Sequence, residues 1–189
     1  MPSRSSERAE VAISEAAHRV RALVDARAAR RVVVDGRSGA GKTTLARLVV
    51  EAWPGAQLVS LDELYPGWGG LREGAALACG LVLAPHAAGS VGRYRRFDWT
   101  LGTFAGAEVR VDPNRPLVVE GCGALTPASA EVADASVWLD AEAALRRERA
   151  LARDGDGFAP YWDMWAAQED AHIASEAPEA RADLALLTR

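Results

Sequence analysis

The feature that most constrains this chain is a glycine-rich segment that reads Gly36-Arg37-Ser38-Gly39-Ala40-Gly41-Lys42-Thr43. Four positions separate its first glycine from the Gly-Lys-Thr end, which is the full spacing of a phosphate-binding loop. A β-branched run of strand length precedes it at 31–35, and apolar residues at helical spacing follow it at 44–52. The segment is therefore predicted to connect a strand to a helix, as the motif requires. The alternative is a glycine-rich turn that binds nothing.

The residue types in this loop suit a polyphosphate. Its glycines can adopt backbone angles closed to other residues, so that consecutive N–H groups can surround phosphate oxygens. Lys42 would supply a mobile cation for the β- and γ-phosphates, and the Thr43 hydroxyl is a suitable hard oxygen for Mg²⁺. The candidate nucleotide-binding residues are Gly36, Ser38, Gly39, Ala40, Gly41, Lys42, Thr43 and Thr44.

Length and composition favour an ordinary globular protein. A chain of 189 residues fits one domain, and 49% apolar and 25% charged residues are typical values. A net charge of −4 argues against a nucleic-acid partner, and no apolar run approaches the roughly 18 residues of a membrane span. The polar N-terminus does not resemble a signal peptide, and two cysteines with three scattered histidines form no disulfide framework or standard metal site. We expect a cytoplasmic protein without nucleic-acid or membrane partners, and the composition favours no particular oligomeric state.

Two further predicted strands place a carboxylate at or just after their carboxyl end. Residues 57–61 read as a strand that leads to Asp62, and 117–121 as a buried strand that contains Glu120 near its end. Ligands of open α/β sheets bind at the carboxyl ends of the strands, so both acids should face the same crevice as the glycine-rich loop. The alternatives are a helix or loop cap for Asp62 and an internal salt bridge for Glu120.

The remaining pattern alternates strands with helices. A first helix, capped by Ser5 or Ser6, should run to about Arg30, and further helices are predicted at 71–88, 141–153 and 158–172. Strands are predicted at 136–139, just before Asp140, and at 182–187. This alternation predicts an α/β fold with a three-layer, doubly wound parallel sheet. We expect one domain over 1–189, with an N-terminal helix at 1–30 and a nucleotide-binding core at 31–189.

A segment at 92–99 concentrates arginines, aromatic residues and one acid. One interpretation is a solvated basic strand edge. The other is a pocket wall that offers stacking faces and charged hydrogen-bond groups to a substrate. The residues proposed for such a wall are Tyr94, Arg96, Asp98 and Trp99, together with Asp62 and Tyr65 from the loop after the second strand.

These motifs resemble the P-loop small-molecule kinases related to uridine kinase and, more distantly, to pantothenate kinase. The resemblance covers about 32–187 and rests on the phosphate loop, on Leu61-Asp62-Glu63-Leu64-Tyr65, on Val118-Val119-Glu120-Gly121 and on the arginine-bearing helix at 149–154. It implies a P-loop NTPase fold with a helical lid at about 146–160. The family's histidine a few positions after Tyr94 is absent, with Trp99 near its place.

The resemblance also implies roles. ATP with Mg²⁺ would be the phosphoryl donor and a small hydroxyl compound, preferably a uridine-like nucleoside, the acceptor. Asp62 would be the catalytic base and would also touch the metal, which Thr43 and Glu120 hold. Lys42, Arg149 and Arg153 would stabilise the transferred group, the alternative for the two arginines being a solvated helix face. Arg146 and Arg147 are assigned to that solvated face.

Two other classes of P-loop protein were weighed. A regulatory GTPase would need a guanine-reading Asn-Lys-x-Asp motif, but the only asparagine is Asn114, in a proline-flanked turn. A P-loop ATPase, or an ATP-binding protein without kinase activity, would use Asp140 as the acid that follows its strand. Phosphoryl transfer needs a donor cradle, magnesium, a base and cations, and the sequence offers all four.

Overall fold

The structure, a computed structural model, describes residues 10–189 apart from the side chains at positions 154 and 156. The strands are β1 (Glu10–Val11), β2 (Arg31–Gly36), β3 (Gln57–Ser60), β4 (Gly92–Asp98), β5 (Thr103–Val111), β6 (Leu117–Glu120), β7 (Ala135–Ala141) and β8 (Leu184–Thr188). The helices are α1 (Ile13–Arg27), α2 (Lys42–Glu51), α3 (Leu71–Ala78), α4 (Ala84–Ala87), α5 (Pro127–Val132), α6 (Ala143–Asp154), α7 (Trp162–Glu176) and α8 (Pro178–Arg181). Within residues 10–189, no helix has the length and apolar character needed to cross a membrane.

Six strands form the main sheet, in the order β1-β8-β7-β2-β6-β3, and all of its neighbours are parallel. The central strand β2 lies between β7 and β6, so the loop that follows β2 leaves from the middle of the sheet. Val34 pairs with Glu120 on β6, and Glu120 in turn pairs with Ser60 on β3. The carboxyl ends of these three strands therefore meet at one edge, as the sequence predicted.

Alternate residues of β2 enter two separate apolar clusters. Val32 and Val34 pack with residues of α1 and α2 on one face, and Val33 packs with residues of α3 and α7 on the other. Burial on both faces is the reason why these strands read as continuous β-branched runs. The predicted three-layer, doubly wound parallel fold is confirmed.

The N-terminal helix is shorter than predicted. It begins at Ile13 because residues 10 and 11 extend the sheet beside β8, and it ends at Arg27 because Ala28 adopts a left-handed conformation with φ of 48°. The predicted caps Ser5 and Ser6 lie outside the described residues. The predicted helix at 71–88 is found as α3 and α4, joined by a π-helical turn at Cys79–Leu83.

A hairpin outside the main sheet was only half anticipated. β4 and β5 form an antiparallel pair of their own, with Phe97 opposite Phe104 and Asp98 opposite Thr103. The sequence indicated a strand edge at 92–99 but gave no signal for β5, whose residues are mostly exposed and carry no clear alternation. The turn between the two strands brings Trp99 back toward the carboxyl edge of the sheet.

Candidate active site

The glycine-rich loop links β2 to α2 and is closely packed from behind. Gly39 and Gly41 have φ of 78° and 99°, which glycine adopts without strain. A Cβ on Gly39 would lie 2.0 Å from the carbonyl oxygen of Arg146, so α6 touches the loop directly. Among the described residues, no side chain caps the N-terminus of α2. A glycine cradle that opens onto uncapped helix N–H groups fits a phosphate group.

Lys42, the only lysine of the chain, points into this cradle and is 7% exposed. Its ammonium donates to the Arg37 carbonyl oxygen at 3.0 Å and to the Cys122 sulfur at 3.2 Å. Burial lowers the pKa of Lys42, but the negative charges around it outweigh burial and raise the pKa to about 12. Lys42 is therefore a cation at neutral pH, as phosphate binding requires.

A buried carboxylate lies beside the first turn of α2. The Oε1 atom of Glu120 accepts hydrogen bonds from the Ser60 hydroxyl at 2.7 Å and from the Thr43 hydroxyl at 3.2 Å. Burial raises the pKa of Glu120, and the nearby charge of Lys42 opposes that rise. Three hard oxygens at the mouth of the phosphate cradle fit Mg²⁺ better than a soft metal. Among residues 10–189 no cluster of three His, Cys, Asp or Glu side chains forms a metal site, so such an ion would share phosphate oxygens.

A cavity of about 790 Å³ opens in front of the loop. The predicted site residues on its wall are Ser38, Gly39, Gly41, Lys42, Thr43, Thr44, Asp62, Tyr65, Trp99, Glu120, Arg149 and Arg153. It also takes in residues that sequence reasoning missed: Arg47, Trp68, Gly121, Cys122, Ala150, Gly157, Phe158 and Trp165. Of the predicted loop residues, Gly36 and Ala40 lie behind the wall, where the Ala40 carbonyl oxygen accepts from the Thr188 hydroxyl at 2.9 Å.

Tyr94, Arg96 and Asp98 do not line this cavity. The Tyr94 hydroxyl donates to Glu63 at 2.5 Å, and the Arg96 guanidinium pairs with the same carboxylate at 2.9 Å. Asp98 accepts two N–H bonds within the hairpin turn, each of 2.9 Å. Tyr94 and Arg96 therefore hold the hairpin against the segment that carries Asp62, whereas Asp98 stabilises the turn itself. From the hairpin, Trp99 reaches the cavity, and its indole N–H donates to the Asp62 carbonyl oxygen at 2.9 Å.

Aromatic rings form part of the cavity wall. Trp68 lies nearly parallel to Phe158 and to Tyr161, with ring centroids 5.2 and 4.7 Å away. Trp99 lies 4.8 Å from Trp68, and Trp165 meets Trp68 edge-on. Trp68 thus joins the loop after β3, the hairpin, the segment after α6 and the start of α7. Of these rings, only Trp99 was among the predicted site residues.

The arginines of α6 divide differently from the prediction. Arg149 is half-buried and Arg153 exposed, and both line the cavity, while Arg147 is exposed as predicted. The assignment of Arg146 to the solvated face is wrong. Its buried guanidinium lies 3.1 Å from the Asp140 carboxylate and donates to the Ala141 carbonyl oxygen at 3.0 Å, because its helix face packs on the phosphate loop.

A second group of buried polar residues lies behind the loop. Asp35 at the end of β2 is fully buried and accepts N–H bonds from Gly36, Gly123 and Leu125. The His172 ring lies 2.9 Å from the same carboxylate. Asp35 therefore fixes the turn after β6 relative to the loop. Asp35, like Glu120, lies near the end of a predicted strand, so the same rule could have identified it as a residue close to the site.

We expect Gly39→Ala to lower the free energy of unfolding by about 3 kcal/mol or more. A left-handed alanine costs about 1 kcal/mol, and the added methyl would force α6 away from the loop at further cost. Gly89→Ala is the matched control, because Gly89 also has positive φ, 72°, but no atom within 4 Å of its would-be Cβ. Equal losses in the two variants, measured by chemical denaturation, would contradict the tight packing of α6 on the loop.

No family model and no curated protein matches this chain. Among solved structures, a possible uridine kinase from Bacillus stearothermophilus aligns with a TM-score of 0.58 and 17% identity, over 82% of this chain and 87% of that one. A candidate fructose transport system kinase from Silicibacter sp. TM1040 aligns with a TM-score of 0.59 and 21% identity, over 93% and 99%. The chain has the P-loop NTPase fold. Similarity at this level of identity concerns the fold alone.

Proposed function

We propose that this protein is an ATP-dependent kinase that transfers the γ-phosphoryl group to a hydroxyl of a small molecule, with a uridine-like nucleoside as the favoured acceptor. The observation that carries the proposal is the cavity itself. It combines the phosphate loop, two strand-end acids and two arginines of α6 with aromatic residues on one wall. The kinase names of the two structures with the same fold support it.

The donor half of the reaction would depend on the loop and on α6. The loop N–H groups and Lys42 would bind the β- and γ-phosphates, and Arg149 and Arg153 would face the equatorial oxygens of the transferred group. Thr43 and Glu120, with Asp62, would hold Mg²⁺, which when bound neutralises charge on the phosphates. Arg149 suits this role because it is half-buried and lines the cavity.

The acceptor half would depend on Asp62. Its backbone is held on both sides, since its N–H donates to the Ser60 hydroxyl at 3.4 Å and its carbonyl oxygen accepts from Trp99. A carboxylate held at the cavity wall can accept the proton of a hydroxyl group that attacks the γ-phosphate. The aromatic wall, with Trp99 and Tyr65, would then contact the rest of the acceptor. Tyr94, Arg96 and Asp98 would act on the acceptor only indirectly, through the hairpin.

We expect Trp99→Ala to raise the KM for the acceptor about fivefold and to leave the KM for ATP nearly unchanged, since one stacking contact contributes about 1 kcal/mol. Leu101→Ala is the control, because Leu101 lies at the same hairpin tip, is 67% exposed and does not line the cavity. Steady-state kinetics with each substrate varied in turn makes the comparison. An equal rise of both KM values in Trp99→Ala would mean that the hairpin does not contact the acceptor.

The alternative of an ATPase that uses Asp140 has less support. Asp140 does not line the cavity, and its carboxylate pairs with Arg146 and accepts the Ala141 N–H at 2.8 Å. Glu120 occupies the position nearest to Thr43 instead.

A substrate screen tests the proposed function. ADP release and thermal shift would be measured with MgATP over nucleosides, sugar alcohols and pantothenate-like acids. The proposal expects ADP release that depends on one acceptor class. ADP release that is the same with and without every acceptor would favour an ATPase, and no ADP release or shift with any nucleotide would contradict the P-loop interpretation.

A further inference from the structure

Three side chains of helix α7 contact the phosphate loop or the residue just before it. Glu169 accepts the Ser38 N–H at 2.8 Å, Asp170 pairs with Arg37 at 2.6 Å, and His172 contacts Asp35. The three contacts differ in burial, since Glu169 is 4% exposed whereas the Asp170 side chain is 64% exposed. Only the first contact is thus a buried carboxylate on a backbone N–H of the loop.

Glu169 also reaches Lys42 through the Cys122 thiol. The thiol donates to the same Oε1 atom of Glu169 at 3.2 Å, and the sulfur accepts from the Lys42 ammonium at 3.2 Å. The Ser38 N–H therefore donates to Glu169 directly, and the Lys42 ammonium is linked to Glu169 through the Cys122 thiol, which follows β6.

Glu169 itself does not line the cavity, whereas Ser38, Lys42 and Cys122 do. The carboxylate therefore does not occupy the space that a phosphate would take. It holds the loop from behind, and it directs one loop N–H away from the cavity while the glycine-rich part stays open. A loop that is already held in its binding shape loses less conformational entropy when a ligand arrives.

We propose that Glu169 is a positioning residue of the phosphate site, which fixes the Ser38 end of the loop directly and the Lys42 ammonium through the Cys122 thiol. The inference rests on the proposed function for the identity of the nucleotide. The phosphate-loop motif does not predict a role for Glu169, which lies 131 positions from Ser38.

Three substitutions separate the possible roles of Glu169. Glu169→Met keeps the length of the side chain and removes the acceptor, so the affinity for MgATP should fall about tenfold or more as the Ser38 N–H loses its partner. Glu169→Gln keeps an acceptor oxygen and should stay within about threefold of the wild type, because one hydrogen bond is retained. Asp170→Asn is the matched control on the adjacent, exposed position and should leave the affinity unchanged. Calorimetric titration with MgATP, well below the melting temperature of each variant, measures the affinities.

Amine labelling gives a readout that a purely structural role would not move. Lys42 is the only lysine, so an acylating reagent followed by mass spectrometry reports on it alone, with the N-terminal amine as internal reference. Glu169→Asp keeps the negative charge but shortens the side chain, so that it no longer reaches both the Ser38 N–H and the Cys122 thiol. The Lys42 ammonium should then be held less firmly, and its labelling at pH 9 should be about tenfold faster than in the wild type, the change that loss of one buried hydrogen bond produces.

Each result bears on either the role of Glu169 or the proposed function. Unchanged MgATP affinity in a folded Glu169→Met, with only a lower melting temperature, would overturn the inference. If Glu169→Met does not fold, unchanged labelling of Lys42 in Glu169→Asp overturns it, and faster labelling supports it. Failure of the wild type to bind MgATP would instead overturn the proposed function, so the two failures are distinguishable.

Discussion

Lys42→Ala should lower the rate of phosphoryl transfer by about 10² to 10³ or more, because removal of one cation aimed at the transition-state charge typically costs that much. The other cations on the cavity wall, Arg47, Arg149 and Arg153, come from α2 and α6 and not from the loop. The Lys42 ammonium is held within the loop by the Arg37 carbonyl oxygen. Rapid-quench measurement of ADP formation, at saturating acceptor, checks the effect on transfer.

The fold should survive this change. The Lys42 ammonium bonds one carbonyl oxygen and the Cys122 thiol, and neither belongs to the apolar cluster that holds α2 on the sheet through Leu45 and Val49. Arg147→Ala, which removes a cation from the solvent-facing side of α6, is the control and should keep wild-type rates. Unchanged turnover in Lys42→Ala would contradict the role of the loop as the donor site.

Asp62→Asn should lower the transfer rate by about a hundredfold or more, the range that a positioned general base contributes, and should retain ATP binding. The amide keeps the size of the carboxylate but cannot take the proton of the acceptor hydroxyl. Single-turnover transfer and equilibrium binding of ATP, measured on the same preparation, separate the two effects.

Asp98→Asn is the matched control for this variant. Asp98 lies outside the cavity and accepts two N–H bonds in the hairpin turn, which an asparagine oxygen can still accept. Its transfer rate should stay within about threefold of the wild type, since the turn bonds are retained. If Asp62→Asn lost ATP affinity and kept its transfer rate, Asp62 would be a metal or structural residue.

The parts of the site that could be predicted are those encoded by local sequence. Glycine spacing and β-branched runs fixed the loop and its two neighbouring strands, and the rule that ligands bind at the carboxyl ends of parallel strands brought Asp62 and Glu120 to the same cavity. The strand register, in which Glu120 pairs with both Val34 and Ser60, is the physical basis of that success.

The parts that could not be predicted depend on contacts between distant residues. The sequence around Asp35 and Ser38 does not predict their contacts with His172 and Glu169, which lie 137 and 131 positions away. The arginines of α6 occur at helical spacing, but spacing alone does not tell which face of a helix meets the loop, and Arg146 was therefore misassigned.

The hairpin shows the same limit in a different form. Composition identified an aromatic and basic segment, but the pairing of Tyr94 and Arg96 with Glu63 turns most of it toward the loop after β3. Only Trp99 of that segment lines the cavity. A composition signal therefore indicated the right region, and the hydrogen-bond partners decided which side chain reaches the site.

The central claim is that the γ-phosphoryl group leaves ATP for an acceptor hydroxyl within this cavity. The most direct measurement follows an isotope label on the γ-phosphate in a single turnover, with the acceptor found in the screen and with mass-spectrometric analysis of the products. The account predicts that the label appears on the acceptor, at a rate that Lys42→Ala and Asp62→Asn both reduce. Label found only in inorganic phosphate, with or without the acceptor, would contradict it.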